Sequence, residues 1–253
     1  MDCQTICDRL DDELDVPAYA GVDPSPNGLQ VGPATRTVDH VAVAVDAAVE
    51  TAERAAAADM LVTHHGIIWG GIERVTGLHH RRIRALVDAD LPLYVAHLPL
   101  DGHQTLGNAA RIADLLKLVD REPFGTDGGL PVGQRGRLPE PVSVDALCDR
   151  LRPHLDTGGQ GIRTLAHGPD EAQEIAIVTG SGADFLGEAA AADVDLFLTG
   201  EGKQKLYHEA KEQGVNVVLG GHYATETFGV RAIADLLADW GLDTTFLDCP
   251  TGL

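Results

Sequence analysis

Phenylalanine, tryptophan and tyrosine together make up only 4% of the 253 residues, and lysine is confined to Lys117, Lys203, Lys205 and Lys211. Cysteine is scarce as well. Cys3, Cys7, Cys148 and Cys249 are scattered, and the Cys3/Cys7 spacing is helical rather than that of a zinc knuckle. Neither a disulfide framework nor a thiolate zinc site is therefore expected. No apolar run approaches the length of a membrane span, and the acidic start MDCQTICDRLDDEL has no signal-peptide core. The expectation is a cytoplasmic protein without a membrane partner. Positive charge is also in deficit, with 39 acidic against 19 basic side chains and a net charge of −20. Nothing resembles a basic stripe, so nucleic acid is not an expected partner. Such an acidic surplus suits a salt-loving source, where carboxylates keep the surface hydrated and salt screens their repulsion.

What the chain does have is alternating apolar strands and Ala-rich helices, the profile of an α/β protein large enough for one big or two small domains. Apolar residues at Ile6, Leu10 and Leu14 predict an opening helix. Prolines 17, 24 and 26 then break regular structure before the short strand NGLQVG at 27–32. VAVAVD (41–46), an Ala-rich helix over 47–57 and LVTH (61–64) form a strand–helix–strand unit, which implies a parallel sheet. A loop with Trp69, Gly70 and Gly71 follows, then a basic helix near 81–87, a strand over 91–97 and a helix over about 107–119. Residues 121–170 are rich in Gly and Pro around one helix at 144–151, and read as the entry to a second lobe. Beyond them, strands are predicted at 175–180, 195–200, 215–221 and 244–248, with helices at 183–191, 203–213 and 226–240. AAAADMLVTHHG (55–66) and AAAADVDLFLTGEG (189–202) share one plan, and the strands before them, VAVAV and IAIVTG, also match. If this is a duplication, Gly200-Glu201 stands in the second copy where His64-His65 stands in the first.

Ligand-type residues gather at three strand ends: His64 and His65 in LVTHHG, His97 and Asp101 in YVAHLPLD, and His222 and Glu226 in VNVVLGGHYATE. Open α/β sheets bind their ligands at that edge. Neighbouring residues on a continuing strand point to opposite faces, so two adjacent imidazoles serve one site only if the strand stops there, and Gly66 permits the turn. His222 and Glu226 are four apart where a Gly-Gly turn feeds a helix, which puts them on one face. Imidazole and carboxylate without thiolate suit Zn, Fe, Mn, Ni or Co rather than a structural zinc. Five or six such ligands are better used on two ions with open positions than on one. There is no P-loop and no Gly-rich phosphate fingerprint, so no nucleotide is identified by motif.

The motifs NGLQVG, THHG, HLPLD followed by Gly107-Asn108, LTGE (198–201) and GGHYATE (220–226) occur along nearly the whole chain. In this order they resemble the Nif-three-like dinuclear metal-binding family, whose members often carry the name of type 2 homologues of GTP cyclohydrolase I. The resemblance implies His64, His65, Asp101, His222 and Glu226 as ligands of two divalent ions, with Glu226 bridging. It implies His97 close to the metals, as a ligand or as a hydrogen-bonding neighbour of one, and the candidate catalytic side chain. Glu201 and His208 would line the same pocket. DPSPNGLQVG departs from the Trp-Asp-Asn run of many relatives, which puts the N-terminal loop in doubt. The implied fold is α/β, two related lobes each with a sheet flanked by helices, the second inserted into the first. On that reading residues 1–120 form the first lobe and 121–214 the second, and 215–253 return to complete the metal site. The resemblance further implies homo-oligomers, hexamers in several members, and metal-dependent hydrolysis of a small molecule or nucleotide. A metal-binding regulatory or assembly protein without turnover is the alternative.

Overall fold

The computed structural model describes residues 1–253 and opens with helix α1 (Cys3–Glu13), whose first turn is capped by the Asp2 carboxylate accepting from the Thr5 amide. A short α2 (Val16–Tyr19) leads to β1 (Gly28–Val31), β2 (His40–Asp46), α3 (Val49–Arg54) and β3 (Met60–His65). After α4 (Gly77–Asp88) come β4 (Leu93–Val95) and α5 (Leu98–Gly102). The chain divides into two units, Met1–Leu100 with Gly229–Cys249, and Asp101–Phe228 with Pro250–Leu253, so Asp101–Phe228 interrupts the first in sequence.

The first unit is built on a five-stranded sheet, β1-β4-β3-β2 and, at the far edge, β11 (Asp243–Phe246) near the end of the chain. Its β4, β3, β2 and β11 run parallel, and β1 pairs antiparallel with β4. Parallel strands are covered on both faces, which is why β2 and β3 read as near-continuous apolar runs and are buried along almost their whole length. Leu61, Leu93, Val95 and Ile67 pack with Leu86 of α4 in that core.

The second unit runs through α6 (Asn108–Leu116), β5 (Val119–Asp127), β6 (Leu130–Ser143), α7 (Val144–Leu151), β7 (Arg163–Leu165) and β8 (Glu171–Ile177). It continues with α8 (Leu186–Ala191), β9 (Leu196–Thr199), α9 (Leu206–Gln213), β10 (Asn216–Leu219) and the start of α10 (His222–Asp239). Its six strands lie in the order β5-β6-β8-β9-β10-β7, with β8, β9 and β10 parallel.

Both units contain the duplicated plan. In the first, the Asp59 carboxylate accepts from the amides of Asp39 and His40 at 3.0 Å each, closing the start of β2. In the second, the Asp195 carboxylate accepts from Gln173 and Glu174 at 2.8 and 2.9 Å, at the start of β8. The same aspartate, between helix and second strand, does the same work twice.

Two expectations change. The Gly/Pro-rich stretch after residue 119, for which the sequence predicted no strand, is a long hairpin, β5 and β6. Its glycines are there because backbones crowd it: a Cβ at Gly136 would lie 2.9 Å from the Val119 carbonyl, and one at Gly133 would run into the Ile177 carbonyl. Pro123 is tolerated because β5 is an edge strand, and Pro139 and Pro141 fall where the β6–β8 register shifts. The boundaries between units also move, from 120/121 and 214/215 to 100/101 and 228/229. Ile112, Ala113 and Leu116 of α6 share a core with Leu138, Ile175 and Leu196, and β10 is hydrogen-bonded between β9 and β7. Of the last segment, the strand β11 joins the first sheet, but 215–228 belong to the second unit.

The strand ends of the second unit are packed without room for a methyl group. A Cβ at Gly200 would lie 2.7 Å from the Gly180 carbonyl oxygen and 2.8 Å from the His222 Cα. Gly200→Ala is therefore expected to lower stability by about 1–3 kcal/mol. Gly187→Ala, in α8 with nothing within 4 Å of the new methyl, should instead gain about 0.4–1 kcal/mol. Urea denaturation of both variants checks this, and equal midpoints would show that the close approach is not real.

Candidate metal centre

His64 and His65 are the last two residues of β3. On one side the ladder to β4 ends at Thr63↔Val95; on the other, the ladder to β2 ends at Asp46↔His65. With its partners running out, the strand no longer holds the two rings on opposite faces, and their centroids lie 4.7 Å apart. His97, two residues beyond β4, enters the same space at 5.1 Å from His64 and 5.6 Å from His65.

Each of these imidazoles is held through Nδ1 by an oxygen. His64, fully buried, donates to the Ala96 carbonyl at 2.9 Å; His65 donates to Asp46 at 2.9 Å; His97 donates to Asp23 at 2.9 Å. An acceptor at Nδ1 puts the proton there and leaves the lone pair on Nε2, the arrangement typical of metal-binding histidines. The three rings each offer a ligand atom, all within 4.8 Å of one another. The Asp23 side chain is fully buried and accepts from Ser25 N, Asn27 Nδ2, His97 Nδ1 and Leu98 N at 2.8–2.9 Å. Burial alone would raise its pKa, but the His97 bond and charge, with the Asn27 and Ser25 donors, outweigh it and hold the carboxyl below its ordinary range. Gly66 is needed for a reason other than a turn. A Cβ there would lie 2.7 Å from the Gln30 Cδ, and the Gln30 side-chain oxygen Oε1 accepts from the Ile67 and Ile68 amides, fixing the chain just after the histidines.

In the second unit, His222 is the first residue of α10 and Glu226 follows one turn later. His222 Nε2 is 3.2 Å from Glu226 Oε1, and its Nδ1 is 3.3 Å from Glu201 Oε1. Burial pushes the His222 pKa down, but hydrogen bonds and charge from Glu226 and Glu201 overcome this and raise it to about 9. Glu201, itself held down by the Ser181 hydroxyl and the His222 charge against its burial, links the β9 end to this pair. Gly180 makes room for them: a Cβ there would collide with Glu226 Oε1 and lie 3.2 Å from His222 Nε2. The Asp101 carboxylate accepts from the buried Asn108 amide at 2.9 Å and from Thr179 at 3.3 Å. His208 does not join this cluster; it is exposed on α9, its ring edge-on to Tyr207.

The donor set fits a divalent ion. Three imidazoles on one unit, and imidazole with carboxylates on the other, are N/O donors without thiolate, suited to Zn, Fe, Mn, Ni or Co. The side chains that hold the candidate ligands were harder to find in the sequence than the candidates themselves. Asp46, the last residue of VAVAVD, was recoverable by aligning two parallel strand ends. Asn27 stood out only as the first residue of NGLQVG, and Asp23, Thr179 and Ser181 gave no signal. Trp69, half exposed with its ring edge-on to His97 at 5.0 Å, read only as loop.

The sequence profile of the family described as Duf34/NIF3 (NGG1p interacting factor 3) matches residues 1–251. A Halobacterium salinarum protein named GTP cyclohydrolase 1 type 2 homolog is 53% identical, over 100% of both chains. A Deinococcus radiodurans protein of the same name is 41% identical over 96% of this chain and 92% of its own. Among solved structures, TTHA1606 from Thermus thermophilus superposes with a TM-score of 0.89 at 40% identity, covering 100% of each chain.

The His222 pairing has a pH signature in protein stripped of metal with a chelator. A folded-state pKa raised from 6.5 to about 9 contributes stability that is complete below 6.5 and is lost as pH rises through about 9. Urea midpoints of the stripped protein should fall between pH 7 and 9.5, and His222→Gln should flatten that slope. A wild-type midpoint unchanged across this window would mean that His222 is not held as imidazolium.

Proposed function

Because this chain belongs to the Duf34/NIF3 family, we propose that it is a dinuclear metal-binding protein acting as a metal-dependent hydrolase on a small molecule. The observation that carries this reading is the set of three converging imidazoles, each tied at Nδ1 so that Nε2 is the ligand nitrogen. We assign His64, His65, Asp101, His222 and Glu226 as ligands of two divalent ions, with Glu226 bridging. A pair of such ions supplies Lewis acidity, polarising an electrophilic centre and making water a stronger acid near neutral pH.

The chain's own residues do the rest. Asp46 and the Ala96 carbonyl fix the tautomers of His65 and His64. His97, oriented by Asp23, accepts a proton at Nε2 as a general base or completes the ligand set. Glu201 lines the site beside His222; His208, placed on the exposed face of α9, is the weakest member of the assignment. The relatives' name points to GTP, hence to hydrolytic opening of a guanine ring with release of formate. No helix is long and apolar enough to cross a membrane. We further propose a cytoplasmic setting, and a salty one on the strength of the acidic surplus.

Glu226→Gln keeps the shape, removes the charge and leaves an amide that bridges metals poorly. Wild type should approach two divalent ions per chain by elemental analysis. The variant should fold normally, bind at most one ion tightly and lose turnover of GTP or generic phosphoesters. Retention of two sites at wild-type affinity would defeat the assignment. Two ions in wild type with no turnover under any metal would favour the non-catalytic alternative.

We also propose a homo-oligomer, a hexamer on the family resemblance. Light scattering in molar salt should show a species well above monomer mass, loosening at low salt as carboxylates repel. A clean monomer in molar salt removes the idea.

A further inference from the structure

Trp69 is one of two tryptophans in a chain poor in aromatics, and it is 43% exposed. An indole left in water forgoes the burial that large aromatic side chains usually obtain. The other, Trp240, is half-buried and has the Arg9 guanidinium 3.7 Å from its ring centroid.

The loop that carries Trp69 is nevertheless tied down on both sides of it. Before it, Gln30 Oε1 accepts from the Ile67 and Ile68 amides at 3.0 and 3.3 Å. After it, the Gly70 amide donates to the Pro24 carbonyl at 2.8 Å. Asp23, the residue before Pro24, accepts from the His97 ring at 2.9 Å. Two consecutive residues therefore fix both the imidazole and the loop that bears the indole.

The Trp69 and His97 rings meet at 5.0 Å and 81°, and the His65 ring lies 6.2 Å from the indole at 48°. In an edge-to-face pair one ring covers at most one face of the other, so His97 leaves at least one indole face uncovered. Gly70 and Gly71 follow without side chains, and a methyl group at either would meet no heavy atom within 4 Å. The result is a positioned, solvent-facing ring beside two candidate ligand imidazoles, with open space along the chain next to it.

We propose that Trp69 recognises the substrate by stacking on a planar heteroaromatic ring, which it holds against the histidines. The electron-rich face of indole favours offset stacking on an electron-poor ring, and such stacking tolerates differences between one base and another. This role deepens the hydrolase reading and rests on it, although the stacking contact itself needs no metal. It makes Trp69 a binding residue outside the metal-ligand set.

The test titrates inosine, a neutral purine nucleoside, into the full chain in chelator-stripped and zinc-loaded forms. Ribose is the ring-free control and ribose 5-phosphate the anionic one. Binding is read by equilibrium dialysis and by tryptophan fluorescence excited at its red edge, where inosine does not absorb. Inosine should bind saturably and quench in both forms, and the two controls should do neither. Trp69→Ala should weaken inosine binding about 5- to 150-fold and remove the quenching. Trp69→Phe, which keeps a flat ring, should recover most of the affinity. Zinc stoichiometry and light-scattering mass should match wild type in both variants. The proposal is overturned if wild type does not bind inosine, if Trp69→Ala binds it as tightly, or if ribose 5-phosphate binds as well as inosine does. Binding confined to the zinc-loaded form would put the base on the metal and also overturn it. Zinc lost together with inosine in Trp69→Ala would make the indole a support for His97, and a fall in mass would make it a subunit contact; either sinks the stacking role. Trp69-dependent inosine binding by a chain that takes up no zinc would keep that role and defeat the metal reading alone.

Discussion

Parallel strands all deliver their C-terminal ends to one edge, and at that edge the ladder must stop. The candidate ligands depend on how it stops. In the first unit β4 ends at Val95, one residue before its neighbour β3 reaches His64. The unpaired side of β3 is where His97 enters, and its amide and ring are caught by Asn27 and Asp23. In the second unit the ends of β8, β9 and β10 are followed by Gly180, Gly200 and Gly220. Missing side chains at those positions let the first turn of α10 approach the sheet edge, bringing His222 and Glu226 with it. Backbone pairing that runs out, and Cβ atoms that are absent, do more to shape these clusters than any attraction between their members.

The charge surplus is mostly a property of the surface. Pairs such as Arg84–Asp88, Arg111–Asp114 and Arg152–Asp149 are exposed and local, worth a few tenths of a kcal/mol each and less in salt. The carboxylates around the histidines belong to another category. Asp23 is stripped of water yet stays ionised because four donors replace its hydration. Glu201 and Glu226 hold the His222 imidazole between them, at 3.3 and 3.2 Å, and their hydrogen bonds and charge favour its protonated form against burial. Asp23 and Glu226 are buried, so salt screens their interactions much less.

The two units show how one plan diverges. Asp59 and Asp195 close the first strand of each strand–helix–strand unit with the same pair of amide contacts. The difference lies beyond the second strand, where two histidines occupy one copy and Gly200-Glu201 the other. A shared scaffold thus carries metal-type side chains in the first copy, and in the second a step on which a helix is seated.

Much of this was legible in the sequence, because strand and helix periods, turn residues and ligand-type residues at strand ends are local properties. The βαβ units, the closing strand and the residues His64, His65, His97, Asp101, His222 and Glu226 could all be read in that way. The hairpin at 119–143 could not, since its glycines and prolines resemble loop until the neighbouring backbones explain them. The unit boundaries were not legible for a similar reason: whether α6 and β10 share one core or the other depends on partners far away in the chain. So was the job of Asp23, 74 residues from the ring it holds. Sequence alone determined which residues are candidate ligands, because donor type is intrinsic to the side chain. Only tertiary structure decided which nitrogen each histidine presents and which glycine a neighbouring side chain requires, because those depend on contacts between atoms that the chain order keeps apart.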